Sequence, residues 1–152
     1  MTALRGPSYG HIVVGVDGSE PSRSALRWAA RLSSALGRPI DAVLAWQMPS
    51  SYGLAYLPDD WRPDIDAETE LDQTVESVFG PDRPEGLTLC IDQGNPVEAL
   101  LNRSDGAEMI VVGSRGHGGF TGLLLGSVSA SCAEHARCSV LVVHGDPAPT
   151  ST

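Results

Sequence analysis

Short apolar segments alternate with segments of helical periodicity along most of this chain, and this alternation limits the folds open to it. The apolar segments predict five strands, at residues 12–16, 40–46, 87–91, 107–112 and 139–143. Helical patterns lie between them, first from Pro21 to a stop at Gly37 and then at residues 64–79, 96–102 and 126–136. Strands that are each followed by a helix pair in parallel through right-handed crossovers. We therefore expect an α/β fold with an open, mostly parallel five-stranded sheet and helices on both faces.

Local signals support several of these boundaries. Asn95 offers an N-cap, Pro96 a first helical position and Glu98 a capping box, so a helix is predicted to start there. Residues 48–63 collect prolines, serines and tyrosines without either periodicity, which predicts a loop. The acidic residues clustered between 59 and 70 suit the end of that loop and a solvated helix start better than a docking site for a basic partner.

The size of the chain suits one domain. Its 152 residues allow a sizeable core, so we expect a single domain over residues 1–152, with a core at about 9–145 and frayed termini. The longest apolar runs are far shorter than the ~20 residues that cross a bilayer, and the first ten residues carry no export pattern. These features predict a soluble protein that is not exported.

Cysteine usage points to a reducing compartment. Cys90, Cys132 and Cys138 form no C-x-x-C pair, and each has apolar neighbours in the sequence. Cysteine in such surroundings commonly acts as a small hydrophobic residue. Neither the cysteines nor the four scattered histidines have the spacing of a zinc site. We expect a cytoplasmic protein without a structural or catalytic metal.

The charge balance excludes several classes of function. The chain has ten basic and 19 acidic residues, which gives a net charge of -9. Nucleic acid and anionic membrane surfaces are therefore repelled at long range. Every basic residue is arginine, and the absence of lysine rules out a Walker A loop and a Schiff-base lysine. A bound phosphate would have to be held by backbone amides and arginine.

Two loops are the first places to look for a ligand, because open parallel sheets bind ligands where strand order reverses, beyond the carboxyl ends of the strands. These loops are residues 17–19 after the first strand and residues 113–119 after the fourth. In the second loop, Gly113 and Gly116 lack a Cβ, which permits positive φ and close approach of a ligand to the backbone. Arg115, with His117 as a helper, is the local cation.

The helix predicted after Gly126 adds a second anion-receptive element. Its first amides lack partners inside the helix, its dipole end is positive, and Ser127 and Ser129 add hydroxyl donors. Glycine-rich turns between a strand and a helix are nevertheless common without any ligand. Asp17 also has two interpretations, a functional carboxylate or a turn former and helix cap, and Trp46 either offers a surface to a base or belongs to the core.

The spacing Gly113-x2-Gly116-x9-Gly126-Ser127 resembles the G-2x-G-9x-G-[ST] signature of ATP-binding universal stress proteins. The resemblance extends to residues 12–19, 94–101 and 113–143, whereas residues 48–86 fit the family loosely. Glu108 stands where the family usually has aspartate. The resemblance implies an adenine nucleotide alpha hydrolase-like, Rossmann-like fold.

The resemblance also implies a ligand and its site. ATP would bind, with Mg²⁺ accompanying it near Asp17, which would meet the ribose or, through the cation, the phosphates. Trp46 would face adenine through its backbone. The residues that would line the nucleotide are Gly15, Val16, Asp17, Trp46, Gly113, Ser114, Arg115, Gly116, His117, Gly126, Ser127, Val128 and Ser129.

Three functions stay open at this point. The first is an ATP-binding regulatory or interaction protein in the stress response that has no catalytic residue and at most hydrolyses ATP slowly. The second is an enzyme on the same scaffold that hydrolyses ATP or transfers a group from it and forms AMP, and the third is an interaction module that has lost nucleotide binding. The resemblance further implies that the last strand, with Val140, Leu141, Val142 and Val143, lies at a sheet edge and forms a homodimer.

Overall fold

A computed structural model describes residues 10–48, 60–115 and 125–145 of the chain. Strands and helices alternate along it, as the sequence predicts. The strands are β1 (Ile12–Gly15), β2 (Ile40–Trp46), β3 (Leu87–Gln93), β4 (Met109–Gly113) and β5 (Ser139–Val143). The helices are α1 (Glu20–Leu36), α2 (Pro63–Phe79), α3 (Pro96–Arg103) and α4 (Ser127–His135).

The five strands form one sheet in the order β3-β2-β1-β4-β5, and all of its pairings are parallel. Ile12 of β1 pairs with Ile40 of β2 on one side and with Met109 of β4 on the other. The central strand is almost continuously buried, as expected for a parallel strand covered on both faces. The predicted fold class is confirmed, and β5 lies at an edge of the sheet as predicted.

Helices cover both faces, so the sheet separates two apolar cores. On one face, α1 and α2 pack over a cluster that includes Ile12, Leu26 and Leu71. On the other, α3 and α4 pack over a cluster that includes Val13, Leu100 and Ile110. Neighbouring residues of β1 contribute to opposite clusters because side chains alternate across a strand.

Two strand boundaries differ from those predicted. β3 continues to Gln93 rather than ending at residue 91, because it pairs residue for residue with the whole of β2. β4 begins at Met109 rather than at residue 107. The amide of Ala107 instead donates to the carbonyl of Ser104, and that of Glu108 donates to the carbonyl of His11. Ala107 therefore belongs to the turn before the strand, and Glu108 links the end of that turn to the residue before β1.

The helix ends agree with the local signals. Asn95 Oδ1 accepts the amide of Val97 at 2.7 Å and that of Glu98 at 3.4 Å, which is the predicted N-cap. Gly37 ends α1 in the left-handed conformation, with φ of 68°, and its amide donates to the carbonyl of Ser33. The predicted loop at residues 48–63 lies largely outside the described residues.

The cysteines behave as small hydrophobic residues. All three are free thiols, and Cys90 and Cys132 are buried in the core under α3 and α4. Burial raises the pKa of each of these two thiols to about 11, because it disfavours the thiolate. Within the described ranges, no helix is both long and apolar enough to span a membrane.

Candidate functional site

The order of strands in the sheet brings the two predicted loops together. β1 and β4 are neighbours, but the chain leaves β1 toward α1 and β2 on one side and leaves β4 toward α4 and β5 on the other. Their carboxyl ends therefore flank the point where strand order reverses. A crevice at this position is the usual ligand site of an open parallel sheet.

Asp17, in the first loop, forms a tight turn with the residues that follow it. Its Oδ1 accepts hydrogen bonds from both the amide and the hydroxyl of Ser19. Gly18 between them has φ of 81°, and Ser19 in turn caps α1 by accepting the amide of Ser22. One carboxylate oxygen thus acts as the turn former that the sequence left open. The resemblance predicts that Asp17 contacts a ligand, and this role would fall to its other carboxylate oxygen.

Ser22 also holds this turn, a role that was not predicted from the sequence. Its hydroxyl accepts the amide of Asp17 at 3.3 Å and donates to the carbonyl of Ser19 at 3.0 Å. Ser22 is buried in the first turn of α1. A serine on the inner face of an amphipathic helix shows no motif, so only the three-dimensional structure reveals that it fixes the backbone of Asp17.

Gly113 is glycine because α1 packs against it. A Cβ at this position would lie 2.6 Å from Cβ and 2.8 Å from the carbonyl carbon of Pro21. Gly113 is not among the glycines with positive φ, so the freedom that a missing Cβ permits is not used here for a left-handed backbone. Its missing side chain lets the first turn of α1 approach the end of β4.

Ser114 connects the end of β4 to the start of α4. Its amide donates to the carbonyl of Val143 at 2.7 Å, and its carbonyl accepts the amide of Gly126 at 2.6 Å. The hydroxyl of Ser129 lies 3.1 Å from the same carbonyl oxygen of Ser114 and 3.1 Å from that of Gly126, so it can donate to either. These bonds bring the two ends of the glycine-rich segment together.

The predicted ligand groups at the start of α4 differ in their exposure. Ser129 is only 2% exposed and its hydroxyl donates to the carbonyl of Ser114 inside the fold. In this arrangement the hydroxyl does not face a ligand, in contrast to the prediction. Ser127 is exposed and Val128 half-buried. The first amides of an α-helix have no intrahelical acceptor, and the first bond of α4 runs from Ala130 to Gly126. The amides of residues 127–129 are therefore the donors of this helix end.

The remaining candidates lie at the ends of β1 and β2 or beyond the described residues. The amide of Val16 donates to the carbonyl of Val43 at 2.9 Å, and the carbonyl of Trp46 accepts the amide of Gly94 at 2.7 Å. The indole of Trp46 packs against the core under α1 and α2, which favours the core interpretation of its side chain.

Gly15, the last residue of β1, lies beneath α3, and a Cβ on it would be 3.1 Å from a methyl of Leu100. Arg115 is exposed at the end of the described segment. Gly116 and His117 lie outside the described residues. The described residues contain no group of three or more His, Cys, Asp or Glu side chains that could hold a metal ion.

Comparison with known sequences identifies relatives of one family. The model of the universal stress protein family matches residues 8–144. A universal stress protein of Mycobacterium tuberculosis is 36% identical over 141 residues, which cover 90% of this chain and 46% of that protein. One of Mycolicibacterium smegmatis is 35% identical over 147 residues, with coverage of 91% and 49%. The chain thus spans about half the length of these curated relatives.

Solved structures have the same fold. Universal stress protein UspA from Lactobacillus plantarum superimposes with a TM-score of 0.72 at 21% identity, over 90% of this chain and 98% of that one. A universal stress protein whose crystal structure was determined in complex with cAMP superimposes with a TM-score of 0.68 at 26% identity, over 91% and 99%. Since the family model matches most of the sequence and relatives exceed 30% identity, the chain belongs to the universal stress protein family.

Proposed function

We propose that this protein binds an adenine nucleotide, ATP with Mg²⁺, at the crevice between the ends of β1 and β4, and acts in the stress response as a nucleotide-dependent regulatory or interaction protein. The observation that carries the proposal is the hydrogen-bonded closure at Ser114. It sets the amides at the start of α4 beside the carboxyl end of β4, next to the turn at Asp17. The cAMP complex of a relative with the same fold supports an adenine nucleotide as the ligand class.

The phosphates belong at the start of α4 in this proposal. The net charge of -9 disfavours a polyanion at long range, so local donors must supply the attraction. The amides of Ser127 and Val128, the exposed hydroxyl of Ser127 and the positive end of the helix dipole are such donors. Arg115, which is exposed just beyond the end of β4, adds a guanidinium that suits phosphate.

The ribose and the cation belong near Asp17. Its Oδ1 already accepts two hydrogen bonds from Ser19, which fixes the direction of its second oxygen. A carboxylate oxygen attracts a ribose hydroxyl or a hydrated Mg²⁺ and repels a bare phosphate. The backbone at Trp46 is where adenine is placed, with Val16 and Gly15 between base and sugar.

The test compares two substitutions of Ser127. Ser127→Ala removes the hydroxyl and keeps the amide N–H, whereas Ser127→Pro removes both. Proline is compatible with the first position of a helix. Gly126 before it has φ of -74° and ψ of 172°, the extended conformation that a residue preceding proline adopts. Both variants are therefore expected to fold like the wild type.

Isothermal titration with MgATP should separate the two variants. A hydrogen bond to a charged group contributes about 1.5–3 kcal/mol, so Ser127→Pro should weaken binding by roughly tenfold to a hundredfold. Ser127→Ala should weaken it less, because the amide remains. If the proline variant binds as tightly as the wild type while the wild type does bind, the phosphates do not lie at α4 and this placement of the nucleotide is wrong.

We further propose that the protein forms a homodimer through β5 and works in the reducing cytoplasm. β5 is an edge strand whose residues 140–142 are only partly buried, and an unpaired strand edge favours pairing with another strand. The three free thiols support a reducing compartment.

A further inference from the structure

The first turn of α4 is held by a side chain that lies inside the fold. Ser129, the third residue of this helix, is 2% exposed, and its hydroxyl oxygen lies 3.1 Å from the carbonyl oxygen of Ser114. The same carbonyl accepts the amide of Gly126 at 2.6 Å. A carbonyl oxygen has two lone pairs and can accept both bonds. One backbone atom just beyond β4 thus connects to the helix start in two ways.

The hydroxyl of Ser129 has no second proton for a ligand. A serine hydroxyl carries a single O–H donor, and the acceptors around this one are the carbonyls of Ser114 and Gly126. While the proton is used in this way, the hydroxyl can offer only lone pairs, which repel the oxygens of a phosphate. Any effect of Ser129 on a phosphate ligand must therefore pass through the backbone that it holds.

This fastening differs from the caps of α1 and α3. In α1 the side chain of Ser19 accepts the amide of Ser22, and in α3 the side chain of Asn95 accepts two amides. Such caps occupy donors of the first turn. The N-cap of α4 is Gly126, which makes no side-chain hydrogen bond. Ser129 instead fastens α4 by donating, so the fastening does not occupy the amides of the first turn.

We propose that Ser129 is a positioning residue of the nucleotide site. Its hydroxyl holds the first turn of α4 against the end of β4 through Ser114, while the bare N-cap at Gly126 leaves the amides of residues 127–129 available to the phosphates. This inference rests on the nucleotide site proposed above. It assigns Ser129 a role without ligand contact, in contrast to the exposed Ser127.

Two substitutions test this role. Ser129→Ala removes the hydroxyl and keeps the backbone. Ser33→Ala is the matched control, because Ser33 is also a buried helical serine whose hydroxyl donates to a backbone carbonyl, that of Arg38. It lies about 20 Å along α1 from the end that adjoins the crevice. Circular dichroism establishes that each variant is folded, and Ser129→Cys, with a weaker donor, replaces Ser129→Ala if that variant is not.

The first measurement is hydrogen exchange at the amide of Gly126, followed by NMR in protein that has been freed of nucleotide by unfolding and refolding. This amide donates to the carbonyl that Ser129 also contacts. Loss of one neutral hydrogen bond should make the closure open more often, so exchange in Ser129→Ala should be roughly twofold to tenfold faster than in the wild type. Ser33→Ala should leave this rate unchanged. An equal rate in Ser129→Ala and the wild type would overturn the positioning role.

The second measurement is isothermal titration of the same proteins with MgATP and with adenosine. Ser129→Ala should bind MgATP roughly twofold to tenfold more weakly and adenosine as tightly as the wild type does, because adenosine has no phosphate to meet α4. Ser33→Ala should bind both ligands like the wild type.

The pattern of losses distinguishes the possible roles. Weaker MgATP binding without faster exchange at Gly126 would mean that Ser129 contacts the ligand directly, and equal losses for MgATP and adenosine would mean a general structural effect. Either result, or unchanged MgATP binding in Ser129→Ala, would overturn the inference alone. A wild type that binds no MgATP would instead contradict the proposed function.

Discussion

Gly113 and Gly126 are the first and third glycines of one motif, and they have different roles in the structure. Gly113 admits the first turn of α1, since Pro21 occupies the space that a side chain would need. Gly126 precedes α4 in an extended conformation, and its amide donates to the carbonyl of Ser114 at 2.6 Å. The first glycine is explained by packing inside the protein, and the second by closure of the segment that positions α4.

A substitution of Gly113 should therefore lower the free energy of unfolding. The Cβ in Gly113→Ala would collide with backbone and ring atoms of Pro21, and overpacking of this kind costs about 1–3 kcal/mol. We expect the midpoint of urea unfolding to fall accordingly, in the absence of any nucleotide.

Gly15→Ala is the matched control for this experiment. Its Cβ would lie 3.1 Å and 3.4 Å from the two terminal methyl groups of Leu100 and 3.3 Å from a methyl of Val112. The leucine side chain can move, so a smaller loss of stability is expected. A Gly113→Ala protein as stable as the wild type, or more stable than Gly15→Ala, would contradict the packing role of Gly113. If the role is correct, Gly113 is unsuitable for testing nucleotide binding.

Residue roles at the site were only partly accessible from the sequence. Asp17 could be placed at the end of a strand, but its bonds to Ser19 depend on the turn geometry at Gly18. Ser129 looks like a hydroxyl donor for a ligand in the sequence, whereas helix periodicity turns it inward toward Ser114. Contacts between residues distant in the chain, such as that of Pro21 with Gly113, leave no local pattern.

At the scale of elements, β5 determines how the sheet ends. Because the amide of Ser114 donates to the carbonyl of Val143, the backbone groups of Val143 face β4. Successive residues of a strand direct their backbone groups to alternate sides, so those of Val142 face outward along the free edge. An outward-facing N–H is the one position of an edge strand where proline is tolerated.

The edge-strand dimer can be tested at this residue. Val142→Pro removes an outward donor without removing a bond to β4, and Val142→Ala makes a similar loss of side-chain packing while it keeps the N–H. We expect light scattering at micromolar concentration to find the wild type and the alanine variant larger than a monomer, and the proline variant reduced in mass. A monodisperse wild-type monomer, or a proline variant that associates like the wild type, would refute pairing through β5.

The types of the elements were predictable because strands and helices each have their own hydrophobic periodicity. The strand boundaries differ from the prediction where hydrogen bonds to other parts of the chain decide them. β3 gained two polar residues, Asp92 and Gln93, since β2 offers them backbone partners. Glu108 precedes β4 because the pairing with β1 begins at Met109, although its amide donates to the carbonyl of His11. Pairing with a neighbouring strand decides such positions, and their own side chains do not.

At the scale of the whole molecule, the alternation of strands and helices sufficed to predict a parallel sheet with two covered faces. It also directed attention to the loops after β1 and β4, because open parallel sheets bind ligands where the strand order reverses.

The central claim is that the crevice between β1 and β4 holds an adenine nucleotide, and the most direct measurement is to identify what the purified protein carries. Freshly purified wild type and Ser127→Pro are denatured, and the small molecules that they release are identified and quantified by mass spectrometry. We predict an adenine nucleotide, ATP, in near-stoichiometric amount from the wild type and much less from the proline variant. A wild type that releases no nucleotide and also fails to bind added MgATP would contradict the claim.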